Sequence, residues 1–385
     1  MIMNFLHTAD FHFGGIPAIG RITPMGIRER EYDLIRSLEN IKEIARSETT
    51  DVLFVAGDIF DISNPDSTTR VCWSQFLISL IKGDVPSLKK VYIVLGNHDK
   101  PNNDIKAVSL GVDGEYIAGL NSTHVDIKIS SEIEFEMYNG HGIILVPYKD
   151  DPDLVRSCVS EIYKEHENEC NNFVLVGHIE IKEAELGAND RKLKCGFSYK
   201  DEIFSLPKLK YAALGHIHKP QSFINPNSNA IIAYSGSPIS KDFNEASDWR
   251  RVIIGSISDL GELQYDEVQV QDRDFITIEN GKGLDDLTSD VVNGSIIKLK
   301  FKGTLEYLQT FNTTAIISRL EGMGALQVKV DRVIIKEIKT DERNDFREST
   351  SIRTACRTYI ERFAPKSLDK ELLLTMADAR VKGIN

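Results

Sequence analysis

Six short apolar runs constrain this chain more than any other feature. They are Phe5-Leu6, Val52–Ala56, Val91–Leu95, Ile143–Val146, Phe173–Val176 and Tyr211–Leu214. Runs this short, rich in Val and Ile and mostly closed by glycine, read as buried strands. Arg28–Ser47, between the first two runs, carries Leu34, Ile35, Leu38, Ile41, Ile44 and Ala45 at helical spacing, and Val71–Ile81 reads as a second helix. Strand–helix–strand alternation implies a layered α/β core.

The residues just past each strand carry the chemistry. Phe5-Leu6 leads to Asp10 and His12, Val52–Ala56 to Gly57-Asp58 and Asp61, and Val91–Leu95 to Gly96-Asn97-His98-Asp99. Phe173–Val176 leads to Gly177-His178, and Tyr211–Leu214 to Gly215-His216 and His218. Five strands thus deliver metal-ligand residue types just past their carboxyl ends, the edge at which α/β sheets bind ligands. Glycine before a ligand lets the backbone turn sharply and approach an ion. Asp10 and His12 stand two apart, as do His216 and His218, so in extended backbone each pair faces one way. A lone Gly-Asp after a strand is common turn chemistry, but the ordered conjunction leaves that explanation little room. Mixed oxygen and imidazole donors without thiolate suit manganese, iron or zinc better than calcium. Two such ions bridged by a carboxylate carry out in-line displacement at phosphorus. Five of the nine histidines fall in these motifs. Of the rest, His7 falls within its strand, while His124, His141 and His166 lie in polar surroundings and read as solvated.

The character changes near residue 270. The pattern becomes strand (275–279), helix (284–292), strand (295–301), helix (305–320) and strand (326–338), enough for a small βαβαβ domain. A charged stretch from Lys339 to Ser349 reads as a linker. Two amphipathic helices follow, separated by Pro365, with Ser367 as the cap of the second. One carries Ile352, Cys356, Tyr359, Ile360 and Phe363, the other Leu368, Leu372, Met376 and Ala379. Two short helices cannot bury both stripes alone, so they dock on the main body or on another protein. The domain boundaries expected are therefore 1–270, 271–339, a linker at 340–349, and a helical segment at 350–385.

Composition narrows the class. The 385 residues are 41% hydrophobic and 27% charged, which is globular and ample for more than one core. No apolar run reaches the ~20 residues of a membrane span. Residues 1–6 read as a strand rather than a leader. Five scattered cysteines fit reduced thiols, so the compartment expected is the cytoplasm. A net charge of −12 argues against a general nucleic-acid coat but permits a local groove.

Asp-x-His, Gly-Asp-x-x-Asp, Gly-Asn-His-Asp, Gly-His and Gly-His-x-His in this order resemble the calcineurin-like metallophosphoesterase superfamily. Leu6–His12, Val55–Asp61 with Pro65, Ala213–Lys219 and Tyr234–Ile239 narrow the resemblance to SbcD-type nucleases, the prokaryotic and phage form of the meiotic-recombination-eleven nuclease. It is specific over roughly residues 1–245 and architectural beyond. It implies a layered metallophosphoesterase β-sandwich flanked by helices, a small α/β cap and a C-terminal helical pair. It also implies one metal on Asp10, His12, Asp58 and His218 and another on Asp58, Asn97, His178 and His216. Asp58 would bridge two divalent ions, manganese first and magnesium as the alternative. His98 would stabilise the transition state or protonate the leaving oxygen, with Asp99 orienting its imidazole. Some members carry a histidine at the position of Asp61, which leaves the role of Asp61 open.

The resemblance further implies an SbcC-type, SMC-like ATPase bound through residues 350–385, a homodimer within a heterotetramer, and action on double- and single-stranded DNA in end processing, repair and recombination. The alternative is a metallophosphoesterase acting on small-molecule or phosphoprotein esters, which needs no cap and helix pair. Arg21, Arg28, Arg30, Lys100 and the row Lys298, Lys300 and Lys302 on one strand face are candidate DNA contacts, with ordinary surface charge as the competing explanation.

Overall fold

The computed structural model describes residues 2–17, 19–24, 26–99, 124–187, 196–335, 352–365 and 368–381. Lys100, Ser367 and the linker at 340–349 fall outside these residues.

Three parallel strands, β1 (Ile2–Thr8), β2 (Val52–Val55) and β3 (Lys90–Val94), lie side by side in the first sheet. They are joined through α1 (Glu29–Ser47) and α2 (Ser67–Ile81). The third strand continues in parallel to β4 (Asp126–Ser130). A second sheet holds β5 (Glu134–Tyr138), β6 (His141–Val146), β7 (Asn172–His178), β8 (Leu209–Gly215), β9 (Gln221–Ile224) and β10 (Ile231–Tyr234), with α3 (Pro152–His166) on the crossover from β6 to β7. Its order is β5-β6-β7-β8-β10-β9, and β6, β7, β8 and β10 run parallel. The chain then returns to the first sheet as the antiparallel pair β11 (Arg251–Ser258) and β12 (Leu263–Gln269), giving β12-β11-β1-β2-β3-β4.

The period-two alternation of the strands sorts their side chains into separate apolar layers. Phe5, Val52, Phe54, Tyr92 and Val94 of the first sheet meet Ile143, Leu145, Val174, Val176, Tyr211 and Ala213 of the second. Leu53, Val55, Val91 and Ile93 point the other way, onto Leu34, Leu38 and Ile41 of α1 and Trp73 and Leu77 of α2. Ile144, Leu175 and Ala212 likewise face Val155 and Val159 of α3. The result is a β-sandwich with helices on both outer faces. Caps close the helices locally: Asp66 accepts from Thr69 N at the start of α2, and Asp151 accepts from Asp153 N and Leu154 N at the start of α3.

The third sheet is all parallel, β13 (Phe275–Glu279), β14 (Ile296–Gly303) and β15 (Gln327–Ile334). The helices there are shorter than the spacing suggests. The stretch 284–292 is helical only in α4 (Ser289–Val292), and 305–320 divides into α5 (Leu305–Gln309) and α6 (Thr313–Gly322). The break falls where the Asn312 side chain accepts from Ala315 N and opens a new helix. The cap is tied to the body by charge. Arg30 of α1, fully buried, reaches Asp33 at 2.9 Å, Asp272 at 3.0 Å and the Ser240 carbonyl, while Arg273 bonds Asp33 and the Gly294 carbonyl.

Arg30 is therefore a buried strut between α1 and the cap, with its guanidinium committed to internal partners. Arg28 donates to the Gly20 carbonyl. Lys298 sets its ammonium 4.2 Å from the centre of the Phe243 ring and Lys300 pairs with Glu279, so the lysine row is partly spent on internal contacts. His141, expected in solvent, is fully buried in β6, because its strand lies inside the second sheet. The last two helices, α7 (Ile352–Phe363) and α8 (Lys370–Val381), pack on each other and are clamped by Arg353–Asp378. Tyr359, Phe363, Leu372 and Met376 remain exposed. Among the described residues no helix is long and apolar enough to cross a membrane.

Phe54 sits at the centre of the inter-sheet layer, in contact range of Phe5 and Tyr92. Phe54→Ala is expected to cost about 3–5 kcal/mol of unfolding free energy. Urea unfolding followed by circular dichroism measures it, and a loss below about 1 kcal/mol would contradict the layer assignment.

Candidate metal centre

All seven candidate ligands meet at the carboxyl edge of the sandwich, where β1, β2 and β3 of one sheet face β7 and β8 of the other. The backbone is bent to bring them there. Asp10, His12, Asp58 and His216 all have positive φ (56°, 50°, 51° and 102°), a region that costs non-glycine residues energy. The turn is held by paired loops: Asp10 N donates to the Gly57 carbonyl and His12 N to the Asp58 carbonyl, both at 3.0 Å.

Glycine is required by crowding as well as by turning. A Cβ on Gly96 would overlap the Asp58 carboxylate, one on Gly57 the His178 ring, and one on Gly215 the Ala56 carbonyl. The two sheets approach to backbone contact at this edge, and no side chain fits between them.

Three donor groups result among the described residues; one, His12 with Asp61 and His98, flanks the two that hold the candidate ligands. In the first, Asp10, His12 and His218 place ligand atoms within 4.8 Å of one another, and the Nε2 atoms of His12 and His218 are 2.9 Å apart. In the second, Asp58, His178 and His216 do the same, and the Asn97 side-chain oxygen lies 3.1 Å from His178 Nε2 and 3.0 Å from His216 Nδ1. Asp58 Oδ2 stands between them, 3.6 Å from His12 Nε2 and 3.4 Å from His178 Nε2. Imidazole nitrogens and carboxylate oxygens converging at these distances, all but Asn97 and His216 buried, fit a pair of divalent cations.

Outer partners orient the rings. His178 Nδ1 donates to the Ala56 carbonyl at 2.8 Å, which leaves Nε2 as its ligand atom. Asp10 is held by the His216 amide at 2.9 Å, and Asp58 by the His98 amide at 3.0 Å. Glu245, fully buried, brings Oε1 to 3.6 Å from His218 Nδ1 and is itself bonded by Arg250. Asp61 Oδ1 lies 3.0 Å from His12 Nδ1. Tyr148, in the loop after β6, stacks on His216 with ring centres 6.2 Å apart. Nothing in the local pattern marked Glu245 or Tyr148, since neither follows a strand that carries a ligand motif.

Asp99 does not orient His98. Its buried carboxylate accepts from Phe60 N and Gly96 N, both at 2.9 Å, and so pins the β2 and β3 loops together. The ring of His98 is instead met by the Asp61 carbonyl, 2.7 Å from Nδ1, and His98 itself is exposed.

The charges are strongly coupled to burial. Burial alone would lower His178, but the Asp58 carboxylate beside it prevails and holds it up at about 9. Burial likewise works against ionised Asp58, yet the surrounding imidazoles keep it well below the ordinary carboxylate range. Burial raises Asp10. It pushes His12 down to about 4 and His216 to about 3, so these rings are neutral and ready to ligate near neutral pH.

A family model described as calcineurin-like phosphoesterase matches residues 3–220. The SbcD subunit of nuclease SbcCD from Bacillus subtilis (strain 168) is 26% identical over 284 residues, covering 69% of this chain and 69% of that protein. DNA double-strand break repair protein Mre11 of Methanocaldococcus jannaschii is 27% identical over 287 residues, covering 72% and 69%. The SbcD subunit of nuclease SbcCD from Staphylococcus epidermidis is 22% identical over 397 aligned residues, covering 98% and 96%.

A proton on His178 competes with a cation for Nε2. Below about pH 9 that proton must leave on loading, so apparent manganese affinity should rise roughly tenfold per pH unit up to that point and release protons. Calorimetric titration in buffers of different ionisation enthalpy checks both, and an affinity flat between about pH 6 and 9 would contradict this charge arrangement.

Proposed function

The chain belongs to the calcineurin-like phosphoesterase family, and from that premise we propose that it is a two-metal DNA phosphodiesterase, the nuclease subunit of an SbcCD-type complex. Metal-dependent phosphoester hydrolysis is the chemistry of the family. The observation that carries the narrower reading is two donor clusters with Asp58 between them, in a chain similar to an SbcD subunit over 98% of its length.

On this reading one ion would be held by Asp10, His12, Asp58 and His218, and the other by Asp58, Asn97, His178 and His216. When bound, two such cations activate a water for in-line attack and neutralise charge on the phosphoryl oxygens. Manganese is the metal proposed, since the donors mix oxygen and imidazole without thiolate. The protein contributes the rest. The Asp61 carbonyl takes the Nδ1–H of His98, so Nε2 of this exposed ring is the atom left to exchange a proton with the leaving oxygen. Asp99 and the His98 amide keep the β2 and β3 loops in register, so that Asp58 faces both clusters.

Residues 1–270 are assigned to the nuclease domain, 271–339 to a cap that contacts DNA, 340–349 to a linker, and 350–385 to the grip on an SbcC-like ATPase. The exposed apolar residues of α7 and α8 support the last assignment, because two short helices leave these stripes unburied. A homodimer within a heterotetramer is the assembly proposed.

Purified chain with manganese should degrade linear duplex DNA, and His98→Ala should lose about 10²–10⁴ in rate while binding manganese as before. Rapid phosphomonoester turnover without DNA cleavage, alone or with an ATPase partner, would point to a phosphatase; loss of metal by His98→Ala would overturn its assignment. Removing residues 350–385 should abolish capture of the ATPase in size-exclusion chromatography and leave basal DNA cleavage in place. An unchanged affinity for the ATPase would remove the helix pair from the interface.

A further inference from the structure

Asp61 stands just beyond the bridging carboxylate, and its surroundings are more specific than a surface aspartate needs. Its backbone is paired across the loops, Asp61 N donating to the Phe13 carbonyl at 3.0 Å. Its carboxylate points back toward His12, with Oδ1 3.0 Å from Nδ1 of that ring and 3.3 Å from Nζ of Lys241. Its carbonyl meets the other ring, 2.7 Å from His98 Nδ1. The two rings stand edge to face, 5.0 Å apart. Room for the carboxylate is built in: a Cβ on Gly15 would overlap Asp61 Cγ and Oδ1.

We infer that Asp61 is a positioning residue for two histidines at once, its carboxylate setting His12 for metal binding and its carbonyl setting His98 for the phosphoryl group. The inference rests on the two-metal reading of the site and deepens it. His12 is buried, and an imidazole that ligates a cation is neutral, so one ring nitrogen carries a proton and the other is bare. A carboxylate beside Nδ1 places the proton there and turns Nε2 toward His218 and Asp58, which raises the basicity of the ligand. The contact is electrostatic, with Asp61 Oδ1 3.0 Å from His12 Nδ1 but without the alignment of a hydrogen bond. Lys241 favours the ionised carboxylate by facing the same oxygen. The backbone amide of Lys241 donates to Glu245 Oε2 at 2.9 Å, and Glu245 faces His218. The segment 241–245 thus backs both histidines of the first cluster, whereas His178 of the second is backed by a carbonyl alone.

Three variants separate positioning from a merely structural role. Asp61→Asn keeps the shape and removes the charge. Gly15→Ala keeps Asp61 and crowds its carboxylate away from His12. Lys241→Gln removes the cation and leaves Asp61 in place. The readouts are manganese affinity by calorimetry and the tautomer of His12 from long-range proton–nitrogen NMR of the metal-free protein at pH 7. Asp61→Asn and Gly15→Ala should each weaken one of two manganese sites by about 10–100-fold and shift His12 toward a mixture of tautomers, with the melting temperature of wild type. Lys241→Gln should weaken the same site by a smaller factor. Two sites of wild-type affinity with an unchanged His12 tautomer in folded Asp61→Asn or Gly15→Ala would overturn the inference. If Asp61→Asn does not fold, Gly15→Ala decides alone. Wild-type chain that binds two manganese ions yet cuts no DNA would end the nuclease reading and leave the Asp61 inference standing, because its readouts are affinity and tautomer.

Discussion

One buried carboxylate organises the molecule. Asp58 sits at the end of β2 with less than a twentieth of its surface exposed, an expensive place for a charge unless it is surrounded by donors and cations. The protein supplies them from three other strand ends: the His98 amide, His12 and His178 all reach it. His12 sits at a positive φ, His98 follows Gly96 in its loop, and His178 ends β7 directly after Gly177. The bending is concentrated where strands of both sheets end, and the extensive apolar layers below hold the strands still enough to sustain it. Stability and site are therefore joined at one edge: the core provides the rigidity, and the strand ends carry the strain.

The outer partners explain how seven candidate ligand side chains converge without collapsing on one another. Several have a second atom engaged elsewhere: His178 through the Ala56 carbonyl, Asp10 through the His216 amide, His218 toward Glu245, His12 toward Asp61. The two clusters differ in kind. The first is rich in carboxylates, direct and indirect; the second adds an amide oxygen and a less buried flank beside Tyr148.

The candidate ligands were legible along the chain because each lies within a few residues of a strand end, so local order reports spatial order. Asp10, His12, Asp58, Asn97, His178, His216 and His218 needed only the strand assignments and the residue types. Arg30 shows the limit. Its neighbourhood in sequence is a charged helix start, like that of a surface residue, and its burial comes from Asp272 and Ser240, more than 200 positions away. His141 misled for the same reason: a polar local context says nothing about whether the strand is interior to a sheet. The cap helices were read too long because periodicity cannot see a side-chain cap that restarts a helix at Asn312.

Sequence alone determined the strand–helix alternation, the candidate metal-binding side chains and the family, since all of these depend on neighbours within a few residues. The division of the five ligand-bearing strands between two sheets was decided only in three dimensions, because alternation does not say which strands pair. So were the partners behind the ligands: Lys241 meets Asp61 across 180 positions, and Asp99 turns from the His98 imidazole to the loop amides of Phe60 and Gly96. Those contacts depend on how closely two sheets pack at one edge, a distance set by the whole core and written in no single segment of the chain.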